Sequence, residues 1–130
     1  MDFELTDEQK MLKEMAYKFA QTELAPISHE CDEGERYTPE IRKKGAENGL
    51  VGGWISEEYG GAGVGILGNA MVTEELSKVD MGTGLNITAA AFGCEAIYYF
   101  GTEEQKKKYL PPVCEGEWVS AGAFTEADAG

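Results

Sequence analysis

The chain of 130 residues is long enough for one domain with a real core, and its 42% hydrophobic and 10% aromatic content is globular rather than disordered. It carries 24 acidic residues against 11 basic ones, which gives a net charge of −13 spread along the whole length. This balance argues against nucleic acid as a partner and against an anionic membrane surface, because both require clustered Lys and Arg.

The three cysteines are Cys31, Cys94 and Cys114, an odd number with no Cys-x-x-Cys pair. This usage favours a reducing compartment over a disulfide framework. The acidic start of the chain shows neither a signal peptide nor an Arg-rich transit peptide. We therefore expect a cytoplasmic protein, with the mature form of a mitochondrial matrix protein as the alternative.

The first helix is predicted to begin at a capping box formed by Thr6 and Gln9. Pro26 should end or kink it. His29, Cys31 and Asp32 lack a second ligand pair at zinc-site spacing, so we interpret them as exposed polar residues and expect no metal. The buried stripe of the helix follows i, i+3, i+4, i+7 spacing: Leu12, Met15, Ala16, Phe19, Ala20 and Leu24.

A second helix is predicted within residues 38–49. Thr38 supplies an N-cap and Pro39 the first helical position, whereas Asn48-Gly49 supplies a left-handed stop. Residues of this helix and of the segment after it should enter the core, namely Ile41, Ala46, Leu50 and Val51.

A glycine-rich connection, residues 52–68, contains the pattern G-x-G-x-x-G at residues 63–68. A dinucleotide fingerprint also needs a buried strand before it and an acid about 20 residues after it. The preceding residues are Glu-Glu-Tyr-Gly-Gly, and nothing around Thr88 is acidic. We therefore interpret the segment as a wide connection that needs backbone freedom, not as a nucleotide loop.

A third helix is predicted over residues 66–79. Its carboxylates Glu74 and Glu75 are interpreted as solvent-facing charge. Its inner side should consist of Leu67, Ala70, Met71, Leu76 and Val79.

Residues 81–101 contain one charged residue, Glu95, and their apolar side chains point all round a helix. A helix that is apolar on every side belongs in the middle of a protein. A membrane span is disfavoured because Asn86, Thr88, Glu95 and several glycines interrupt the apolar run. We predict one central buried helix here, with Glu95 partly exposed at its outer end.

A last helix should start at a capping box, Thr102 with Gln105, and end at Pro111-Pro112. Residues 118–125 are β-leaning and lack a helical period. The sequence thus predicts an all-α, orthogonal bundle of about five or six helices around a central buried helix. Residues 1–117 would form this domain, and residues 118–130 would begin a β domain that continues beyond the sequence.

Four patterns, in this order and spacing, resemble the amino-terminal part of acyl-CoA dehydrogenases. They are Leu-Thr-Asp-Glu-Gln at residues 5–9, Ser-Glu-Glu-Tyr-Gly-Gly at 56–61, Gly-Thr-Glu-Glu-Gln-Lys-Lys-Lys-Tyr-Leu-Pro at 101–111 and Phe-Thr-Glu-Ala-Asp-Ala-Gly at 124–130. The likeness covers essentially the whole chain.

The resemblance implies a helical amino-terminal domain followed by a β middle domain and a carboxy-terminal helical bundle. FAD and the acyl-CoA thioester would lie between the latter two domains, and the helical domain would close one side. The resemblance further implies removal of the α-proton by a carboxylate outside this chain, and hydride transfer from the β-carbon to flavin N5. Electron-transfer flavoprotein would accept the electrons, and the full protein would be a dimer or tetramer.

The resemblance also assigns site residues. Phe124 and Thr125 match the segment that meets the flavin ring, and the Thr125 hydroxyl could donate to the flavin as negative charge develops. Gly130 matches the glycine before a Ser-Asp pair that holds the pyrophosphate. The acyl pocket would be lined by Leu85, Thr88 and Phe92, which share one helix face; core packing is the alternative for these three.

Two other functions stay open from the sequence. A flavin oxidase or monooxygenase could use the same scaffold, because fold does not decide chemistry. A stand-alone acidic helical interaction module is the third possibility, because nothing before residue 117 demands catalysis.

Overall fold

Helices dominate the computed structural model, which describes residues 4–36 and 39–129. Short π-helical and 3₁₀ turns supplement the α-helices at Ala20–Leu24, Glu57–Tyr59 and Ala89–Ala91. The predicted all-α class is confirmed. The α-helices of the described ranges are α1 (Asp7–Phe19), α2 (Ser28–Glu33), α3 (Pro39–Glu47), α4 (Gly65–Ser77), α5 (Met81–Thr88), α6 (Cys94–Phe100) and α7 (Glu103–Cys114).

Helix α1 begins where the sequence predicts. The Gln9 amide donates to the Thr6 hydroxyl oxygen at 3.2 Å, and the Thr6 amide donates to the Gln9 side chain at 3.0 Å. The helix continues as the π-helical turn and ends before Pro26, as predicted. Ala16, Phe19, Ala20 and Leu24 are buried, whereas Leu12 and Met15 are partly buried against the core.

Helix α2 turns one side inward, because it packs against α5. Cys31 is therefore buried, whereas His29 and Asp32 are exposed. The interpretation of these three residues as exposed polar groups is wrong for Cys31.

Helix α3 ends as predicted, because Gly49 adopts the left-handed conformation with φ of 68°. The predicted N-cap, Thr38, lies outside the described residues. Ile41, Leu50 and Val51 are buried and Ala46 is partly buried, which confirms the prediction.

Helix α4 packs between α1 and α5. Its buried face follows helical spacing through Gly68, Met71, Val72, Glu75 and Leu76. The prediction that Leu67 and Ala70 face inward is wrong, since both are exposed. The face lies elsewhere because α1 approaches at the small Gly68, where a Cβ atom would lie 3.2 Å from Cδ2 of Leu12.

Glu75 is buried at 6% exposure, so its assignment as solvent-facing charge is wrong. Its carboxylate lies 3.1 Å from Lys13 Nζ and 2.9 Å from Lys78 Nζ. The neighbouring Glu74 is 54% exposed in its side chain and pairs with the same two lysines, so it does face solvent. Hydrogen bonding to Lys78, and then to Lys13, outweighs burial and lowers the pKa of Glu75 below 4.5.

The ion pairs of the buried Glu75 carboxylate with two partly exposed lysines predict a pH-dependent stability. Because the folded-state pKa of Glu75 is lowered, its contribution is present above pH 4.5 and is lost as the pH falls through the folded-state value. We expect Glu75→Gln to reduce the free energy of unfolding by about 1 kcal/mol at neutral pH and by much less in acid, because both lysine partners are partly exposed. Urea unfolding at several pH values measures this difference.

The matched control for that measurement is Glu74→Gln, which removes a half-exposed charge beside the same lysines. Its effect at neutral pH should be clearly smaller than that of Glu75→Gln, because solvent screens the exposed carboxylate. Equal effects of the two substitutions, or a Glu75→Gln effect that persists unchanged in acid, would contradict the account.

The stretch from residue 81 to residue 101 runs through the core, but it is not one continuous helix. Helix α5 passes into the 3₁₀ turn, Phe92 is extended, and Gly93 is left-handed with φ of 91° before α6 begins. Ile87, Ala90, Ala91 and Cys94 are buried. The prediction of a single central helix is therefore wrong: two helices are separated by a break at Phe92 and Gly93. Several apolar side chains of this stretch reach the surface.

Helix α7 begins at the predicted capping box, with the Gln105 amide 3.3 Å from the Thr102 hydroxyl oxygen. It continues to Cys114 with Pro111 and Pro112 inside, so the predicted end at these prolines is wrong. Because Pro111 and Pro112 have no N–H group, the carbonyls of Lys107 and Lys108 lack their usual helical donors. Both lysines are exposed, so water can donate to these carbonyls instead.

An aromatic cluster joins the glycine-rich connection to α6 and α7. The Trp54 ring meets Tyr98 edge-on at 5.3 Å between centroids, and Tyr59 meets Tyr98 at 6.1 Å. The Tyr59 hydroxyl donates to Glu103 at 2.7 Å, and this hydrogen bond to a carboxylate raises the pKa of Tyr59 to about 12. The segment around Tyr59 is thus fixed to the start of α7.

After α7, the chain forms what we call the exit segment, residues 117–125. It pairs into no sheet within the described ranges, because a strand needs a neighbour and only an isolated bridge between Glu126 and Ala129 follows. Residues 118–125 thus form no strand within the described ranges, and their place at the start of a β domain stays a prediction. None of the described helices is both long and apolar enough to cross a bilayer.

Candidate functional site

Several predicted site residues meet at the break between α5 and α6. The Phe92 ring lies 5.8 Å from the Phe124 ring, with an angle of 51° between their planes. Phe92 is 51% exposed and Phe124 is 74% exposed, so the pair forms an apolar surface open to solvent. One residue assigned to the acyl pocket and one assigned to the flavin are thus brought together.

Leu85, Thr88 and Phe92 line the same cleft, which has a volume of about 240 Å³. Leu85 is 43% exposed, and Phe92 is exposed as well, so plain core packing does not describe these two side chains. The other residues of the cleft are Trp54, Asn69, Thr73, Ala89, Ala91 and Glu95.

Thr88 is buried, and its hydroxyl donates to the Gly84 carbonyl at 3.3 Å, one turn earlier in α5. This bond gives the hydroxyl a partner without any ligand, so its burial alone does not require one. Its position in the cleft still makes it a polar contact within a mostly apolar wall.

A second cleft, of about 510 Å³, lies between α5 and the exit segment. Leu85 and Ala89 line both clefts, and Leu85 is the larger of these two side chains. Ala89 and Val119 also line this cleft, and neither was among the predicted site residues. Ala89 follows Leu85 at i+4 and could have been found from that spacing, whereas Val119 comes from another segment and carries no local signal.

Asn69 was also missed. Its side chain lines the smaller cleft, and its Oδ1 atom is buried without a hydrogen-bond partner among the described residues. The signal available in the sequence was an amide on the otherwise apolar start of α4.

Backbone contacts hold the exit segment against the surface formed by residues 89–93. The Ser120 amide donates to the Ala90 carbonyl at 2.8 Å. A Cβ atom at Gly93 would lie 3.3 Å from the Ala121 carbonyl oxygen, so the left-handed glycine also provides room for the segment. Thr125 follows Phe124 and is exposed, whereas Gly130 lies outside the described residues.

The carboxylates and thiols near this face behave as structural groups. Glu95 is exposed, as predicted, but it lies in the first turn of α6 and not at the outer end of a single helix, and it accepts a hydrogen bond from the Gly93 amide at 2.7 Å. Burial raises the pKa of Cys114 to about 12 and raises the pKa of Cys94 despite a hydrogen bond with Ser120. Both thiols are therefore protonated at neutral pH and are poor nucleophiles. What the face offers chemically is apolar contact with a few hydroxyl and amide groups.

The described residues thus form a helical domain with exposed apolar side chains beside the exit segment. Residues 6–117 match the family model described as "Acyl-CoA dehydrogenase, N-terminal domain". The chain therefore belongs to the acyl-CoA dehydrogenase family, and it matches the amino-terminal domain of that family.

Individual relatives agree with this assignment. The chain is 45% identical to the short-chain-specific acyl-CoA dehydrogenase of Clostridium acetobutylicum, over 100% of this chain and 35% of that protein. It is similar to butyryl-CoA dehydrogenase from Megasphaera elsdenii, with a TM-score of 0.88 and 36% identity over 100% of this chain and 35% of that one.

A third match is a chain in the structure described as "Electron transferring flavoprotein of Acidaminococcus fermentans: Towards a mechanism of flavin-based electron bifurcation". The TM-score is 0.91, with 46% identity over 100% of this chain and 34% of that one. The chain thus spans about a third of the length of the relatives it matches.

Proposed function

We propose that this chain is the amino-terminal part of an FAD-dependent acyl-CoA dehydrogenase, which forms a double bond between the α- and β-carbons of an acyl-CoA thioester. Residues 1–117 would be its helical domain, and residues 118–130 would begin the β middle domain. The observation that carries the proposal is the contact between Phe92 and Phe124, which joins the predicted acyl wall to the predicted flavin segment on one exposed face.

The exit segment suits a planar aromatic cofactor. The Phe124 ring is mostly exposed and offers apolar area beside Phe92, and the hydroxyl of Thr125 follows it directly. Phe124, Thr125 and Gly130 would hold FAD, which when bound supplies the acceptor of the substrate hydride. The Thr125 hydroxyl would donate a hydrogen bond toward negative charge that develops on that acceptor.

The acyl chain would lie along Leu85, Thr88 and Phe92. Apolar contact there removes water from the acyl chain and helps to exclude it from the reacting carbons, which strengthens electrostatic interactions at the site. Thr88, whose hydroxyl donates to the Gly84 carbonyl of its own helix, would be the polar residue of this wall. The carboxylate base belongs to a part of the protein outside this chain.

The proposal extends to partners and location. Electron-transfer flavoprotein would be the electron acceptor, and the apolar side chains of Ile66 and Leu67, which are exposed on the first turn of α4, suit contact with another protein. The full protein would be a dimer or tetramer in the cytoplasm, and the buried free thiols of Cys31, Cys94 and Cys114 suit a reducing compartment.

The test compares two electron acceptors in the full protein. With an acyl-CoA substrate, the proposal expects fast reduction of electron-transfer flavoprotein and slow consumption of oxygen. The reverse ratio would identify an oxidase or monooxygenase on the same scaffold. A full protein that reduces neither and binds no FAD would favour the helical interaction module.

A further inference from the structure

We propose that Arg42 is a positioning residue, whose guanidinium holds the Gly116 carbonyl and thereby sets the direction in which the exit segment leaves the helical domain. Helix α3 carries Arg42, which is 7% exposed, and its Nε donates to the Gly116 carbonyl oxygen at 3.1 Å. Its importance for the flavin rests on the proposed function, whereas its effect on the exit segment does not.

Gly116 packs closely against α3 at the point where the chain leaves α7. It is left-handed with φ of 72°, and a Cβ atom there would lie 3.0 Å from the Ala46 Cβ and 3.3 Å from the Lys43 Cα. Its amide donates to the Val113 carbonyl, and the Trp118 amide donates to the Pro112 carbonyl at 3.1 Å. Small displacements of this residue are therefore passed directly to the exit segment.

The positive charge of Arg42 also suits its position near the carboxyl end of α7. The carboxyl end of α7 carries partial negative charge from the helix dipole, and its last turn contains no basic residue. Arg42, supplied by α3, brings a cation to that end. A buried guanidinium is costly to desolvate, so its placement on a carbonyl of this turn favours a specific role over general packing.

The exit segment has a second anchor further along. After Gly116, the Ser120 amide bonds to Ala90 at 2.8 Å, and Phe124 then rests on Phe92. The segment between the two anchors is short, so its path depends on both. Loss of the first anchor should loosen the second and displace Phe124 and Thr125.

The experiment uses the full protein with Arg42→Met and Arg42→Lys, and Arg36→Met as a matched control at an exposed arginine. Hydrogen exchange at the Trp118 and Ser120 amides measures the protection of the exit segment directly. We expect protection there to fall about tenfold in Arg42→Met while α1 keeps its protection. The FAD dissociation constant should rise about tenfold, as expected for a displaced binding group. Arg42→Lys, which retains a donor, should restore both to within about threefold.

Gly116→Ala keeps the guanidinium and disturbs its target. If Arg42 acts through Gly116, the double variant with Gly116→Ala and Arg42→Met should weaken FAD binding no further than the stronger single substitution does. Unchanged exchange at Trp118 and Ser120 in Arg42→Met would overturn the inference, even if the melting temperature falls. Lost protection in a full protein that binds no FAD would support the positioning role and contradict only the proposed function.

Discussion

Replacing Leu85 by Trp in the full protein is expected to lower kcat/KM for the longest acyl-CoA that the enzyme accepts by on the order of 100-fold. Leu85 lines both clefts beside α5, so a larger ring would fill space that the acyl chain needs. The shortest accepted substrate should lose little. Steady-state kinetics with a series of acyl-CoA chain lengths measures the difference.

The matched control is Met81→Trp. Met81 lies one turn earlier in α5, is 65% exposed and lines neither of these clefts. Because Leu85 itself is 43% exposed, its replacement should leave the fold intact. Losses that are equal for short and long substrates, or equal in the two variants, would contradict the placement of the acyl chain along α5.

The second large effect concerns the glycine-rich connection. Gly61→Ala is expected to lower the free energy of unfolding by about 3 kcal/mol, because overpacking against rigid backbone is costly. A Cβ atom at Gly61 would lie 2.1 Å from the carbonyl oxygen of Ile55, which is fully buried. The same carbonyl accepts a hydrogen bond from the Gly63 amide at 2.9 Å and cannot move without breaking it. Urea unfolding followed by circular dichroism measures the loss.

Gly65→Ala separates this clash from backbone strain. Gly65 is left-handed with φ of 69°, but a Cβ atom there would meet no heavy atom within 4 Å. Its substitution should cost only the conformational term of about 1 kcal/mol. A Gly61→Ala loss no larger than that of Gly65→Ala would show that the connection can relax, contrary to the structure.

Local signals in the sequence predicted much of the fold. The capping boxes at Thr6 and Thr102 and the stop at Gly49 depend on contacts within a few residues, so they could be read directly. The break at Gly93 could not, because it depends on the close approach of the exit segment to that glycine. Nor could the burial of Glu75, because it depends on Lys13 from another helix.

The candidate site likewise has features that could be predicted from local sequence and features that depend on tertiary contacts. The shared face of Leu85, Thr88 and Phe92 could be predicted from helical spacing and the family resemblance. Their different exposures could not, because the chain leaves its helix just before Phe92. The contact between Phe92 and Phe124 is likewise tertiary, and it is the observation that unites the two predicted halves of the site.

The central claim is that this helical domain forms one wall of a cleft where an acyl-CoA gives its hydride to FAD. Anaerobic titration of the full protein with a panel of acyl-CoA thioesters, followed by visible flavin absorbance, tests it most directly. We predict that at least one thioester bleaches the flavin, whereas free CoA leaves the spectrum unchanged. A flavin that is bound but bleached by none of the thioesters, or a full protein without flavin, would contradict the account.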